Sequence, residues 1–140
     1  MAEAIFKHKI SQQGLSAVFL ADSCGTSDYH IGDAPDTRTI RNATKNGIQI
    51  QHLGRQLNRM DFNNYDLILA MDQNNMDSIL RLSDTDTIKE KVKRMREFDP
   101  LGTGDVPDPY YGGEKEFQDV FDILDRTIEH LITQLKANPI

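Results

Sequence analysis

The sequence predicts an α/β fold with a mostly parallel sheet, on three observations. Two short, wholly apolar runs, Ala17–Ala21 and Leu67–Met71, have the length and composition of strands buried on both faces. Several other segments space their apolar residues as a helix does. Capping or stopping residues bound most of these segments, and helices alternating with short buried strands suit a parallel sheet covered by helices.

Met1 to Gln13 reads as a helix, with Met1, Ala4, Ile5, His8 and Lys9 along one side and Gly14 ending it. No Ser, Thr, Asp or Asn stands ahead of it, so the chain begins inside the helical pattern. The strand at 17–21 runs into Asp22-Ser23-Cys24-Gly25-Thr26, and residues 27–35 are loop by composition. Asp36 caps a helix to about Lys45, which Asn46-Gly47 stops. Ile48 to Leu57 is a short extended piece carrying His52 and Arg55.

Leu67–Met71 is the clearest strand. Asp72 or Asn74 caps the next helix, which runs through about Leu82 with Met76, Ile79 and Leu80 inward. Residues 84–91 are polar, and Val92 to Phe98 reads as a last strand with imperfect alternation. The final helix, Lys115 to Lys136, sets Phe117, Val120, Phe121, Leu124, Ile128, Leu131, Ile132 and Leu135 on one stripe.

The 140 residues suit one domain, with 38% hydrophobic and 27% charged residues as in ordinary globular proteins. A net charge of -6 argues against a nucleic-acid or anionic-membrane binder, which needs a basic surface. No apolar run approaches the ~20 residues of a membrane span, and no secretion signal is visible. One cysteine, Cys24, excludes an internal disulfide framework, so the cytoplasm is the expected compartment. The histidines have no metal-ligand spacing, and neither metal nor organic cofactor is expected.

In parallel sheets function gathers at loops after the carboxyl ends of strands. The last such loop, 99–113, contains Val106-Pro107-Asp108-Pro109-Tyr110-Tyr111-Gly112-Gly113. The two prolines fix their own φ, and Pro109 keeps Asp108 out of helical conformation, so the carboxylate stands on a stiff, extended piece of loop. A rigid acid beside two phenol rings suits proton donation over a flat substrate. Pro and Asp also make ordinary turns, and Tyr-Tyr an ordinary packed step, so this stretch alone leaves a structural reading open.

Six blocks together carry a resemblance: Met1-Ala2-Glu3-Ala4-Ile5-Phe6, Asp22 to Ser27, Ile31-Gly32-Asp33-Ala34-Pro35 with Asp36, His52 to Leu57, Asp66 to Asp72, and Asp108-Pro109-Tyr110-Tyr111-Gly112. In order and spacing they resemble the low-molecular-weight protein tyrosine phosphatases across essentially the whole chain. The resemblance implies a three-layer sandwich, with a short parallel sheet of four strands flanked by helices. It also implies hydrolysis of phosphotyrosine, on a protein or a small aryl phosphate, through a cysteinyl-phosphate intermediate, by a monomer or weak dimer without cofactor.

By the same resemblance Asp108 is the general acid/base and Tyr110 and Tyr111 bind substrate. Tyr29 lies in the loop that supplies an aromatic wall opposite. Ser23 and His52 brace the family's phosphate loop. That loop, C-x-x-x-x-x-R-S/T-P, has no counterpart here: the sole cysteine is Cys24, and six places on stands His30. Cys24 falls where the family usually has alanine and reads as a small buried side chain.

Met1 aligns just after the loop, so the domain is expected to be N-terminally incomplete, without its first strand, and inactive as it stands. Loss of an interior strand leaves its neighbours unpaired, so the remainder is not expected to fold in the family's usual way. The reading taken is a misplaced start. A loopless pseudophosphatase acting as a binding module is the alternative, with completion by a separate peptide behind both. Arsenate reductases of this fold add resolving cysteines, which are absent. Arginine phosphatases remain open, with Tyr110-Tyr111 favouring phosphotyrosine.

Overall fold

The computed structural model of the chain describes residues 1–27 and 31–140. Its elements run α1 (Ala2–Gln12), α2 (Thr37–Lys45), α3 (Asp61–Asn64), β1 (Ile68–Ala70), α4 (Gln73–Leu82), α5 (Asp86–Lys89), β2 (Val92–Arg94), a 3₁₀ turn (Met95–Phe98) and α6 (Glu114–Ala137). β1 and β2 pair in parallel, with Ile68 opposite Val92 and Ala70 opposite Arg94. The fold is α/β, a short parallel sheet flanked by helices.

The pleat of β1 separates two cores, because successive side chains leave a strand on opposite faces. Ile68 and Ala70 join Phe62, Ile79 and Val92 on the side of α3 and α4. Leu69 and Met71 face the larger cluster, where Ile5 and Ile10 of α1, Ala43 of α2 and Met95 meet Val120, Leu124, Ile128 and Ile132 of α6. The helix α6 is the spine of that layer, packing against α1, α2 and the 3₁₀ turn.

Local chemistry sets the helix ends. Asp36 caps α2, accepting from the N–H of Arg38 at 2.8 Å, and Gly47 at φ 79° follows its end. Asp72, rather than Asn74, caps α4 through the N–H of Asn75 at 2.7 Å. No side-chain bond caps α1, whose end is followed by Gly14 at φ 70°.

Two strand expectations fail. Residues 17–21 form no strand: Val18 and Phe19 donate their N–H groups back to Leu15 in a turn, and Val18 and Leu20 are 67% and 88% exposed. A strand exists only through a paired neighbour, and no described segment pairs with this one in a sheet. Among the described residues nearby, Gly25 and Gln56 form an isolated parallel bridge, and Gly54 exchanges backbone bonds with Gly32 and Asp33. The last strand stops at Arg94, whose N–H turns to Glu97 Oε2 at 2.6 Å and leads the chain into the 3₁₀ turn.

No described helix is long and apolar enough to cross a membrane. Ile128, 1% exposed at the centre of α6, is expected to carry much of the packing. Ile128→Ala should lower the unfolding free energy by about 2–5 kcal/mol in urea titrations; a loss well under 1 kcal/mol would contradict this packing.

Candidate active site

The loop from Asp99 to Gly113 leaves the sheet and returns to α6, and it is fastened at several points. The Asp99 carboxylate, with no exposed surface, receives Arg126 Nε on Oδ1 and Arg126 Nη2 on Oδ2, each at 3.0 Å. Arg96 Nε reaches Oδ2 at 3.0 Å, and the N–H of Leu101 reaches Oδ1 at 2.9 Å. These bonds, Arg126 foremost, hold the Asp99 carboxyl well below the usual carboxylate range, at about 2, against the opposing effect of burial.

The clamp continues along the loop. Arg96 Nη1 donates to the Asp105 carbonyl at 3.1 Å, and the N–H of Gln73 to Asp105 Oδ1 at 3.0 Å. The N–H of Val106 meets the Met71 carbonyl at 2.7 Å, extending the line of β1 by one bond, and the Val106 side chain is buried.

Beyond Val106 the chain rises into solvent through Pro107-Asp108-Pro109. Asp108 is exposed, and its Oδ1 accepts from the N–H of Tyr110 at 3.0 Å, an Asx turn. Among the described residues Oδ2 has no hydrogen-bond partner, so one carboxylate oxygen is fixed and the other is left open. A turn bond from Gly112 N–H to the Pro109 carbonyl at 2.8 Å closes the tip.

The rings of Tyr110 and Tyr111 stand edge to face, centroids 4.9 Å apart, and Tyr111 is 97% exposed. Arg38 supports them: Nη1 donates to the Tyr110 carbonyl at 2.8 Å, and its guanidinium carbon lies 5.3 Å from the Tyr110 ring. Gly112 is required by close approach, since a Cβ there would fall 2.5 Å from Glu116 Cβ. Glu116 in turn accepts from the Gly113 N–H at 2.8 Å and starts α6.

A second polar cluster gathers at the first turn of α1. Glu3 Oε1 accepts from Ser23 Oγ at 2.6 Å and lies 3.1 Å from His52 Nδ1. His52 also lies 3.5 Å from Asp22 Oδ1, while Arg55 joins Asp22 at 2.9 Å to Asp61 at 3.1 Å. Burial pushes the Asp22 carboxyl up, but the Ser23 N–H and Arg55 outweigh it and leave it below the usual range. Donor atoms of Glu3, Asp22 and His52 come within 4.8 Å of one another. Ser23, Lys7 and Arg55 already engage their carboxylates, which makes the group a hydrogen-bonded network.

The structure thus gathers Ser23 and His52 on one acceptor that sequence reasoning missed, Glu3. Its position in the first turn of a helix, where an acid is favourable, was the available signal. Asp108, Tyr110 and Tyr111 form a separate group on their loop, and no hydrogen bond or ion pair among the described residues joins it to the Glu3 cluster. Tyr29 lies outside the described residues. Cys24, expected to be buried, is exposed, because the segment around it runs outside the sheet. Partial desolvation, with Asp61 and Asp22 against Arg55, pushes its thiol up.

A short parallel sheet flanked by helices, with a proline-flanked acid and an aromatic pair on its last loop, is the pattern the sequence blocks pointed to. The sequence pattern of the low molecular weight phosphotyrosine protein phosphatases matches residues 1–139. This chain belongs to that family.

It is 42% identical over 123 residues to the low molecular weight phosphotyrosine protein phosphatase of Schizosaccharomyces pombe, covering 86% of this chain and 78% of that one. It superposes on the protein tyrosine phosphatase of Entamoeba histolytica, crystallised with Hepes in the active site, with a TM-score of 0.94 and 37% identity, over 99% of this chain and 89% of the other. An arginine phosphatase from Drosophila matches at TM-score 0.88 and 26% identity, over 98% and 89% of the two chains. The expectation that these residues would not take the family's usual arrangement is therefore overturned. The packing of α1, α2 and α6 and the β1–β2 pair hold that arrangement without a strand at 17–21.

The Asp99 clamp generates a stability prediction. Because its carboxyl is depressed from 3.8 to about 2, its stabilisation is complete above pH 3.8 and is lost as pH falls through about 2. Asp99→Asn should cost about 3 kcal/mol near neutral pH and make the loss of stability on acidification shallower. Urea titrations near neutral pH and in acid read both effects, and an unchanged neutral midpoint would contradict the clamp.

Proposed function

We propose that these residues form the body of a protein tyrosine phosphatase that works through a cysteinyl-phosphate intermediate, with Asp108 as general acid/base. The observation that carries this is the acid loop: one Asp108 oxygen fixed by the Tyr110 N–H, the other free, beside an edge-to-face tyrosine pair. A thiolate attacks phosphorus, the S–P bond forms, and the P–O bond to the phenol breaks. Asp108 gives its proton to the departing phenolate oxygen. Water then attacks phosphorus as Asp108 takes its proton, and the P–S bond breaks to release phosphate.

The thiolate is not Cys24, whose raised pKa disfavours the reactive form and which has His30 where the reaction needs arginine. The 140 residues hold no other cysteine, so the nucleophile and the phosphate-binding arginine come from outside them, and these residues alone are inactive. In the family reading Ser23 and His52 support the phosphate-binding loop, here through Glu3. In the same family reading Tyr110 and Tyr111, with Tyr29, bind the phenol ring, and the Tyr110-Tyr111 pair favours phosphotyrosine over phosphoarginine. We further infer action in the cytoplasm, as a monomer or weak dimer, on phosphotyrosyl proteins or small aryl phosphates, without nucleic acid or membrane. The competing reading is a binding module without turnover, favoured by the unreactive Cys24.

The test compares the 140-residue protein with one bearing a C-x-x-x-x-x-R loop ahead of Met1. The first should release no phosphate from a phosphotyrosyl peptide and the second should. Asp108→Ala in the second should lower kcat by roughly 10²–10⁴ with little change in phosphate binding. Inactivity of the loop-bearing protein would favour the binding module, and near wild-type turnover in the Asp108 variant would remove its assigned role.

A further inference from the structure

Behind the aromatic pair, between α2 and the start of α6, lies a cavity of about 250 Å³. Arg38, Arg41 and Lys45 line it from α2, spaced three and four residues apart so that one helical face carries all three cations. Asp36, at 2.8 Å, neutralises Arg38. Arg41 and Lys45 are exposed and have no ion-pair partner among the described residues, in a chain of net charge -6. Glu114 is the one acidic residue of the lining, and Phe117 supplies an aromatic wall.

Asn42 also lines the cavity and is 8% exposed. Its Nδ2 donates to Gln118 Oε1 at 3.0 Å, while its Oδ1 has no partner. A buried acceptor without a donor is rare in folded proteins. The cavity is also continuous with the acid loop through one side chain. Arg38 lines it and at the same time holds the Tyr110 carbonyl at 2.8 Å, with its guanidinium carbon 4.9 Å from the Phe117 ring.

We propose that this cavity is a specificity subsite for an acidic side chain of the peptide whose phosphotyrosine lies at Asp108, an inference that rests on the phosphatase reading above. Arg41 and Lys45 take the carboxylate, beside the aromatic wall of Phe117. The volume lies below the ~300–1,000 Å³ of small-molecule sites and fits one or two side chains rather than a cofactor. Two cations without ion-pair partners among the described residues, on one helical face, favour acidic neighbours of phosphotyrosine over neutral ones through charge complementarity.

The test uses one phosphotyrosyl peptide with Glu and Asp flanking the phosphotyrosine and a twin with Gln and Asn in their places. Amide chemical shifts of this chain are followed at low ionic strength, which reads millimolar binding. The acidic peptide should bind about tenfold more tightly, as one charge-assisted contact provides, with shifts at Arg41, Lys45 and Gly113. Arg41→Gln/Lys45→Gln should erase the preference. Equal affinities, no measurable binding of either peptide, or a preference that survives in the double variant overturns the proposal. Both peptides carry the same phosphotyrosine, so failure of the phosphatase reading appears separately, as no phosphate release from either peptide by the loop-bearing protein.

Discussion

The Asp99 carboxylate, buried between Arg126 and Arg96, is the contact through which the rest of the site is held. Arg126 belongs to α6, and Arg96 to the turn that ends β2, so one carboxylate ties the sheet's last strand to the long helix. The loop that follows inherits its path from that tie. Arg96 passes on to the Asp105 carbonyl, Val106 docks on Met71, and only then does the chain rise into Pro107-Asp108-Pro109. A buried carboxylate met by two guanidiniums and a backbone N–H is stable because each lone pair has a donor; removing any of them leaves charge without compensation.

The acid itself sits in a different environment. Asp108 is exposed and touches little, so its orientation comes from the backbone: two prolines, the Asx turn to Tyr110, and the Arg38 bond at the tip. A rigid tip on an anchored base gives the Asp108 carboxylate a fixed position, as the proposed proton donor requires. Arg38 serves two neighbours, steadying the aromatic pair and opening the basic cavity behind it.

Much of this was legible in the sequence where the cause is local. Asp36 and Asp72 cap as their positions predict, the α6 stripe is buried nearly as spaced, and Pro107-Asp108-Pro109 is stiff by covalent geometry. What failed depends on partners elsewhere in the chain. Apolar composition at 17–21 signals a strand only if a neighbour pairs with it, and Val92 to Phe98 leaves the strand after Arg94, whose N–H is taken by the Glu97 side chain that alternation ignores. The Asp99 clamp spans 27 residues to Arg126, and the Ser23–Glu3 bond spans 20, so spacing rules could not see either. The resemblance of six ordered blocks named the family where periodicity alone reached only the fold class.

We propose that the anchored loop presents Asp108 as a proton donor to a departing phenolate. The most direct measurement is kcat across aryl phosphates of graded leaving-group acidity, for a loop-bearing protein and its Asp108→Ala variant. A proton donor matters most where the leaving group is most basic, so the variant's deficit should be large for phenol-like groups and shrink toward strongly acidic nitrophenols. A deficit of the same size across the whole series would mean that Asp108 acts on structure or binding, and the account of the loop as a proton-delivery device would be wrong.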